Sequence, residues 1–263
     1  MSGRRTLRLL LEYDGSAFSG WAAQPGLRTI ETVTHAAFQQ LFPALERIAV
    51  AGRTDAGVHA SGQVISLVAV GGPPDDRVVR AANAVLPRDI AVLACEVVAD
   101  DFHARFSARS RTYEYRLLRA SAPSPLRAGR TLHWPFSLDL ALLDACADSI
   151  VGEHEFRAFT PTETQHRSFR REVFRAGFEP RDDELVFVIE ADALLRHMVR
   201  TLTGTMLEVA GGLRTLADFR DLVDGADRAR AGITAPPHAL CLVRVDYGQE
   251  TVARPASVDD RIS

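Results

Sequence analysis

The sequence predicts an α+β fold: two related ferredoxin-like halves of β-α-β-β-α-β-like order, whose mainly antiparallel sheets meet around a basic cleft. Three observations support this. The hydrophobic pattern switches between strand and helix spacing in a similar order twice along the chain. The 263 residues are about twice a typical domain, and the 46% hydrophobic and 25% charged content suits a globular chain with a sizeable core. The basic residues are also concentrated in the middle. We divide the chain into residues 1–105, residues 106–248 and a polar tail, 249–263.

In the first half, residues 6–13 alternate as a strand, with Leu7, Leu9 and Leu11 opposite Arg8, Leu10 and Glu12, before a turn at Asp14-Gly15. Ile30, Val33, Ala37, Phe38 and Leu41 share one side of a helix from Thr29 to Phe42, with Thr29 as N-cap and Pro43 beyond the stop. Strands fit 46–53 and 63–70, a helix 75–86 and a strand 89–98. In the second half a strand fits 109–119 and a helix 138–151. Strands fit 169–179 and 184–190, then helices 193–210 and 215–223 and a strand 240–247. Asp192 is expected to cap the long helix and Gly211-Gly212 to end it. Residues 120–131 read as a connecting loop and 250–263 as a disordered tail.

Composition excludes several kinds of chemistry. No apolar run approaches the roughly 18–20 residues of a membrane span, and the N-terminus lacks a signal-peptide core. A cytoplasmic protein with no membrane partner is expected. Cys95, Cys146 and Cys241 have no metal-ligand spacing and read as core residues. All 31 basic residues are Arg, which removes Schiff-base chemistry and the Lys-dependent phosphate loop. Net charge is −3, yet 103–130 holds seven Arg (105, 109, 111, 116, 119, 127, 130) against Glu114. A further five Arg lie between Arg157 and Arg175. Solvated faces explain most such clusters, and an RNA-binding surface is the other reading.

The segment most suited to chemistry is Gly52-Arg53-Thr54-Asp55-Ala56-Gly57-Val58-His59-Ala60-Ser61-Gly62, with three glycines between two strands. Such a loop can present one carboxylate, Asp55, where a substrate approaches the backbone closely. Arg53 is placed to pair with it and keep it ionised. The plainer reading is a turn in which Asp55 bonds its own backbone.

This segment resembles the signature of the TruA-type pseudouridine synthases, and the resemblance runs from about residue 6 to 247. Tyr13-Asp14-Gly15 through Phe18, Gly20-Trp21 and Gln24 resembles the family's N-terminal motif. Asn83, Leu86-Pro87 and Asp89-Ile90 resemble its next segment. Phe102-His103-Ala104-Arg105-Phe106-Ser107-Ala108, with Arg111 and Tyr113-Glu114-Tyr115, resembles its central motif. His197-Met198-Val199-Arg200 with Gly204 resembles its long C-terminal helix. Ala235-Pro236-Pro237, Leu240 and Val245-Asp246-Tyr247 resemble its closing strand. Glu31 replaces a usual Gln, Ala22-Ala23 a more polar pair, Ala191-Asp192-Ala193-Leu194 a Gly- and Phe-containing lead, and Ala239 a usual Gly.

The resemblance implies isomerisation of uridine to pseudouridine at positions 38 to 40 of the tRNA anticodon stem-loop, without cofactor or metal, by a homodimer that binds tRNA across both subunits. It makes Asp55 the catalytic carboxylate, adding to C1′, adding to C6, or removing a ribose proton. It makes Arg53 a residue that helps displace the target base, Tyr113 a stacking surface for uracil, Arg200 the partner of the carboxylate, and Leu240 an apolar wall. On the predicted helix, Arg196 and Arg200 would be i,i+4 neighbours sharing a face. His59, His103 and His197 are read as loop or phosphate contacts, and strand 105–119 as a phosphate-contacting wall. Two other readings compete. A non-catalytic RNA-binding protein would use the same Arg clusters without needing Asp55. A glycosidase-like hydrolase would want two carboxylates, and only one stands out.

Overall fold

Among the described residues, 3–163 and 167–248 of a computed structural model, the first half runs β1 (Arg4–Tyr13), α1 (Ile30–Leu41), β2 (Ala44–Val50), β3 (His59–Val70), α2 (Val78–Val85), β4 (Ile90–Val98). The second half runs β5 (Ser110–Leu118), β6 (Leu132–His133), α3 (Leu140–Ser149), β7 (Gly152–Glu155), β8 (Arg170–Arg181), β9 (Glu184–Ala191), α4 (Met198–Ala210), α5 (Leu216–Val223) and β10 (Leu240–Asp246). The expected α+β architecture with mainly antiparallel ladders is present. The 250–263 tail lies outside the described residues. Two compact units form, Ser110–Leu242 and the flanking pieces Met1–Arg109 with Val243–Ser263. The sequence kept 106–248 together, whereas from Val243 onward β10 belongs with the first unit.

In the first unit the strand order is β4-β1-β3, with β2 also paired to β3, the order of a β-α-β-β-α-β half. Helix α1 starts where the sequence places it. The Thr29 hydroxyl accepts from the Thr32 N–H, and Thr32 returns a bond to the Thr29 N–H, a reciprocal cap. β1 departs from simple alternation, because both its faces are buried: Leu7, Leu9 and Leu11 are fully buried, and so is Arg8. An internal strand covered on both sides has no solvent face to give its polar residues. Arg8 is accommodated by an ion pair with Glu96, and its guanidinium lies 5.4 and 5.5 Å from the Phe102 and Tyr247 rings.

The second unit carries β5-β9-β8-β7 in that order, with β6 parallel to β5. The sequence omits β6 and β7, which at two and four residues are too short to show a period. β5 alternates as a one-sided strand should: Tyr113, Tyr115 and Leu117 are buried, and Glu114 and Arg116 between them pair with each other at 2.9 Å. Of the three cysteines, Cys146 is fully buried, while Cys95 and Cys241 are only partly so.

The long helix is where expectation fails. α4 begins at Met198, not 193, and Asp192 does not cap it. Asp192 Oδ1 accepts from the Glu172 and Ala193 N–H groups at 3.1 and 2.6 Å, and its carbonyl accepts from Arg111 at 2.7 Å. Those bonds tie residues 192–193 to the neighbouring strands, and His197 enters the helix with a left-handed φ of 62°. Arg196 therefore lies outside the helix and shares no helical face with Arg200. The C-terminus ends as expected, with Gly212 at a φ of 76° and its N–H bonded to Val209 O.

α4 is buried along nearly its whole length, and Gly204 lets segment 232–235 cross it closely: a Cβ there would sit 1.9 Å from Ile233 O. Thr205 and Glu208 side chains accept from the Gly232 and Ile233 N–H groups, so this crossing strap cannot shift without losing bonds. Gly204→Ala should therefore lower unfolding free energy by about 1–3 kcal/mol, as overpacking of a filled site does. A urea titration followed by circular dichroism checks this, and an unchanged midpoint would contradict the close crossing.

Candidate active site

In the first unit, the Ala51 N–H still donates to Val64 O of β3 at 2.9 Å, but the loop from Gly52 to Val58 lies beyond that ladder, so its polar groups need other partners. The segment from Tyr13 to Trp21 and the side chain of Gln63 supply them. Gln63 Nε2 donates to Gly52 O at 2.7 Å and to the Tyr13 hydroxyl at 3.2 Å. That hydroxyl is 2.8 Å from Thr54 Oγ1. Trp21 N–H donates to Thr54 O at 2.9 Å, and Gly57 N–H donates to Phe18 O at 3.3 Å. Val58 N–H closes a turn onto Asp55 O at 3.1 Å. Asp55 sits at the head of that turn, partly exposed.

Two glycines make the approach of these segments sterically allowed. Gly20 has a φ of +90°, and a Cβ there would lie 3.0 Å from Thr54 O and 3.1 Å from Ala56 N, on either side of Asp55. A Cβ on Gly15 would lie 2.0 Å from Val58 O. The N-terminal motif is thus the mould in which the Asp55 loop is set. Its spacing follows from the contacts: Tyr13, Gly15, Phe18, Gly20 and Trp21 each touch the loop.

His59 is buried, and its Nδ1 accepts from the Gly15 N–H at 3.1 Å. A nitrogen that accepts carries no proton, so the 3.2 Å approach of Asp14 Oδ1 to the same atom is not an ion pair in that tautomer. Asp14 Oδ1 instead caps the Ser16 N–H at 3.0 Å. Arg28 lies 3.9 Å from the centre of the Phe18 ring and donates to both oxygens of Asp89 at 2.9 and 3.0 Å. Glu31, in place of a Gln, accepts from the Ala23 N–H at 2.8 Å, a bond that an amide oxygen would also make. Arg53 does not form the expected ion pair with Asp55; among the described residues its side chain stands exposed.

The second unit holds the other three residues singled out by sequence. Tyr113 lies on β5 opposite Ile189 and is 7% exposed. Arg200, in the first turn of α4, donates from Nε to Ala235 O at 2.8 Å, and its own carbonyl accepts from the Ala235 N–H at 3.1 Å. Leu240 follows a short 3₁₀ turn at Pro237–Ala239 and is 5% exposed. Tyr115, two residues along the same face of β5 as Tyr113, donates to Pro236 O at 3.0 Å. Burial pushes the Tyr115 hydroxyl up from its ordinary pKa, with the Arg200 charge opposing, so it stays a donor. Tyr115 and Ala235 fall within the sequence motifs quoted above, where neither was given a role; the two-residue spacing from Tyr113 was the available sign of the former.

The Arg-rich stretch is less available for phosphate than its sequence suggests. Arg111 and Arg119 donate to the carbonyls of Asp192 and Phe136. Arg116 pairs with Glu114 and Glu184, and Arg127 with Asp183 and Glu184. Among the described residues no group of three or more His, Cys, Asp or Glu converges as metal ligands, and no helix is long and apolar enough to cross a membrane.

Comparison with known proteins gives this arrangement a family. The model of the tRNA pseudouridine synthase family matches residues 10–107 and 146–248, a span that includes the Asp55 loop, its mould, α4 and β10. The tRNA pseudouridine synthase A of Methylobacterium nodulans is 39% identical over 249 residues, covering 94% of this chain and 98% of that protein. The proteins of that name from Myxococcus xanthus and Chloroflexus aurantiacus are 38% and 40% identical, covering 94% and 92% of this chain and 94% and 89% of their own lengths. Matches of this extent, running through both units, place the chain in the tRNA pseudouridine synthase family, whose enzymes are isomerases.

Proposed function

We propose that this chain isomerises uridine to pseudouridine in the tRNA anticodon stem-loop, at positions 38 to 40, with Asp55 as the catalytic carboxylate. One observation carries the assignment: the Asp55 turn is clamped on both sides by Tyr13, Phe18, Gly20 and Trp21, which fixes the backbone that carries one partly exposed Asp. Fixed placement is what a nucleophile or base needs, because misplacement by about 1 Å can cost on the order of a hundredfold in rate.

In the reaction the C1′–N1 bond breaks, the detached uracil turns, and C1′ joins C5. The C5 hydrogen leaves as a proton and N1 gains one, so atoms and oxidation state balance without a co-reactant. Asp55 adds to C1′, adds to C6, or takes a ribose proton; each route uses a single ionised carboxylate. Arg53, exposed beside that carboxylate in the chain, is proposed to help displace the target base from its stack. Tyr113, Arg200 and Leu240 are proposed as substrate-binding residues on the strength of the family resemblance. The same resemblance underlies our proposal of a cytoplasmic homodimer.

Tritium release from C5-labelled uridine in tRNA transcripts tests the reading. Wild type should release tritium, and Asp55→Asn should release none while keeping its circular dichroism spectrum. Folded wild type that releases none from any transcript with uridines in the anticodon stem-loop would refute the proposal, and free uracil in its place would indicate hydrolysis.

The clamp has its own test. Gly20→Ala forces a side chain onto a backbone with φ of +90° and against Thr54 O and Ala56 N. Single-turnover rates should fall by about a hundredfold, as displacement of a positioned group does. A rate equal to wild type in a folded variant would mean that the 54–56 backbone does not position the reacting carboxylate.

A further inference from the structure

The segment 102–107 resembles a family motif, yet the proposed chemistry gives it nothing to do. In the first unit its backbone is a rigid turn. His103 Nδ1 accepts from the Arg105 N–H at 3.1 Å and the Phe106 N–H at 3.4 Å, and Ser107 N–H donates to His103 O at 2.9 Å. Ala104 anchors the turn at both polar atoms: its N–H donates to Ser66 Oγ at 3.1 Å and its carbonyl accepts from the Tyr247 hydroxyl at 2.7 Å. Phe102 is buried against Tyr247, with ring centres 5.1 Å apart. Phe106, four residues on, points the other way and is 76% exposed.

A lone exposed Phe needs no explanation in general. This one is held on a rigid support and backed by a second ring, with the His103 and Phe106 centres 4.4 Å apart and their planes at 35°. Arg105 places its guanidinium 5.6 Å from the Phe106 ring centre. Burial lowers the His103 pKa, and the nearby charges of Arg47 and Arg105 lower it further, so the backing ring is neutral at pH 7. The exposed neighbours Arg105, Ser107 and Arg109 are polar, so the ring is not part of an apolar patch along the chain of the kind that protein partners bury.

A rigid, solvent-facing aromatic ring flanked by Arg is the arrangement on which unpaired bases stack. We propose that the 102–107 turn is a stacking platform, on which Phe106 receives one unpaired base of the RNA substrate while Arg105 contacts the adjoining phosphate. The inference rests on the tRNA reading above and adds to it a named contact away from the reacting carboxylate.

The test measures binding of tRNA transcripts in an Asp55→Asn background, where turnover cannot interfere. Phe106→Ala should weaken binding about tenfold, the typical cost of losing one base–aromatic stack. Phe106→Trp should keep the affinity, and its emission should be quenched on binding beyond any change from Trp21 and Trp134 in the parent. Circular dichroism should show both variants folded, since the ring is exposed. Parental affinity in Phe106→Ala, or an unquenched Trp at saturation, overturns the platform. If wild type releases no tritium but Phe106→Trp is quenched by RNA, the synthase reading falls and the platform stands. If tritium is released and Phe106→Ala binds like the parent, only the platform falls.

Discussion

The constraint on which the first unit depends is that a loop outside the sheet must still satisfy its backbone. The Gly52–Val58 segment lies beyond the β2–β3 ladder, and an unpaired buried amide or carbonyl costs about 1–3 kcal/mol. The chain meets this demand by folding Tyr13–Trp21 over the loop, close enough that Gly15 and Gly20 leave no room for a side chain. Many consequences follow from that contact. Trp21 fills the core beneath, the Gly20 and Trp21 carbonyls accept the first N–H groups of α1, and Thr29 caps the same helix. The loop is therefore fastened to a helix, a strand and a buried Trp at once. A single carboxylate can be held this way without a second acid to position it.

The second unit solves a related problem at α4. A nearly fully buried helix has no solvent for its first N–H groups, and no N-cap side chain bonds them. The turn of His197 and the strap at 232–235 close over its start and flank. The paired bonds between Arg200 and Ala235 mean that the Arg200 guanidinium is held from its backbone and from Nε together. The remaining guanidinium nitrogens have their direction set by that hold. Such preorganisation reduces the entropy lost when a side chain binds a substrate.

These two devices also mark where the sequence was legible. Strands β1, β3, β4, β5, β9 and helices α1 and α5 could be read because their causes are local: strand patterning, helical spacing and, for α1, the Thr29 cap. The Asp55 loop was legible as a glycine-rich break, and its family resemblance was plain. The start of α4 was not, because what stops the helix at 198 is Asp192 bonding Glu172 and Arg111, twenty and eighty-one residues distant in the chain. The burial of Arg8 was illegible for the same kind of reason. Its place opposite Leu7 and Leu9 in an alternating strand is local, but the Phe102, Tyr247 and Glu96 that enclose it are not. Local patterns report propensity; which residues lose their solvent is decided by elements far along the chain.

The exclusive use of Arg acquires a structural meaning from these contacts. A guanidinium can donate in a plane while stacking its face, whereas an ammonium cannot do both. Arg28 does so in donating to both oxygens of Asp89 with Phe18 against it, and Arg8 does so between Glu96 and two rings. Arg111 and Arg119 donate to backbone carbonyls, those of Asp192 and Phe136. Several Arg of the dense basic runs are thus spent on fastening the fold. On a surface that binds RNA, a cation beside an exposed ring adds base stacking to phosphate attraction, which the same cation alone does not offer. Total charge is therefore a poor guide to affinity for RNA: phosphate contacts set its salt dependence, and aromatic faces beside Arg add the contact with bases.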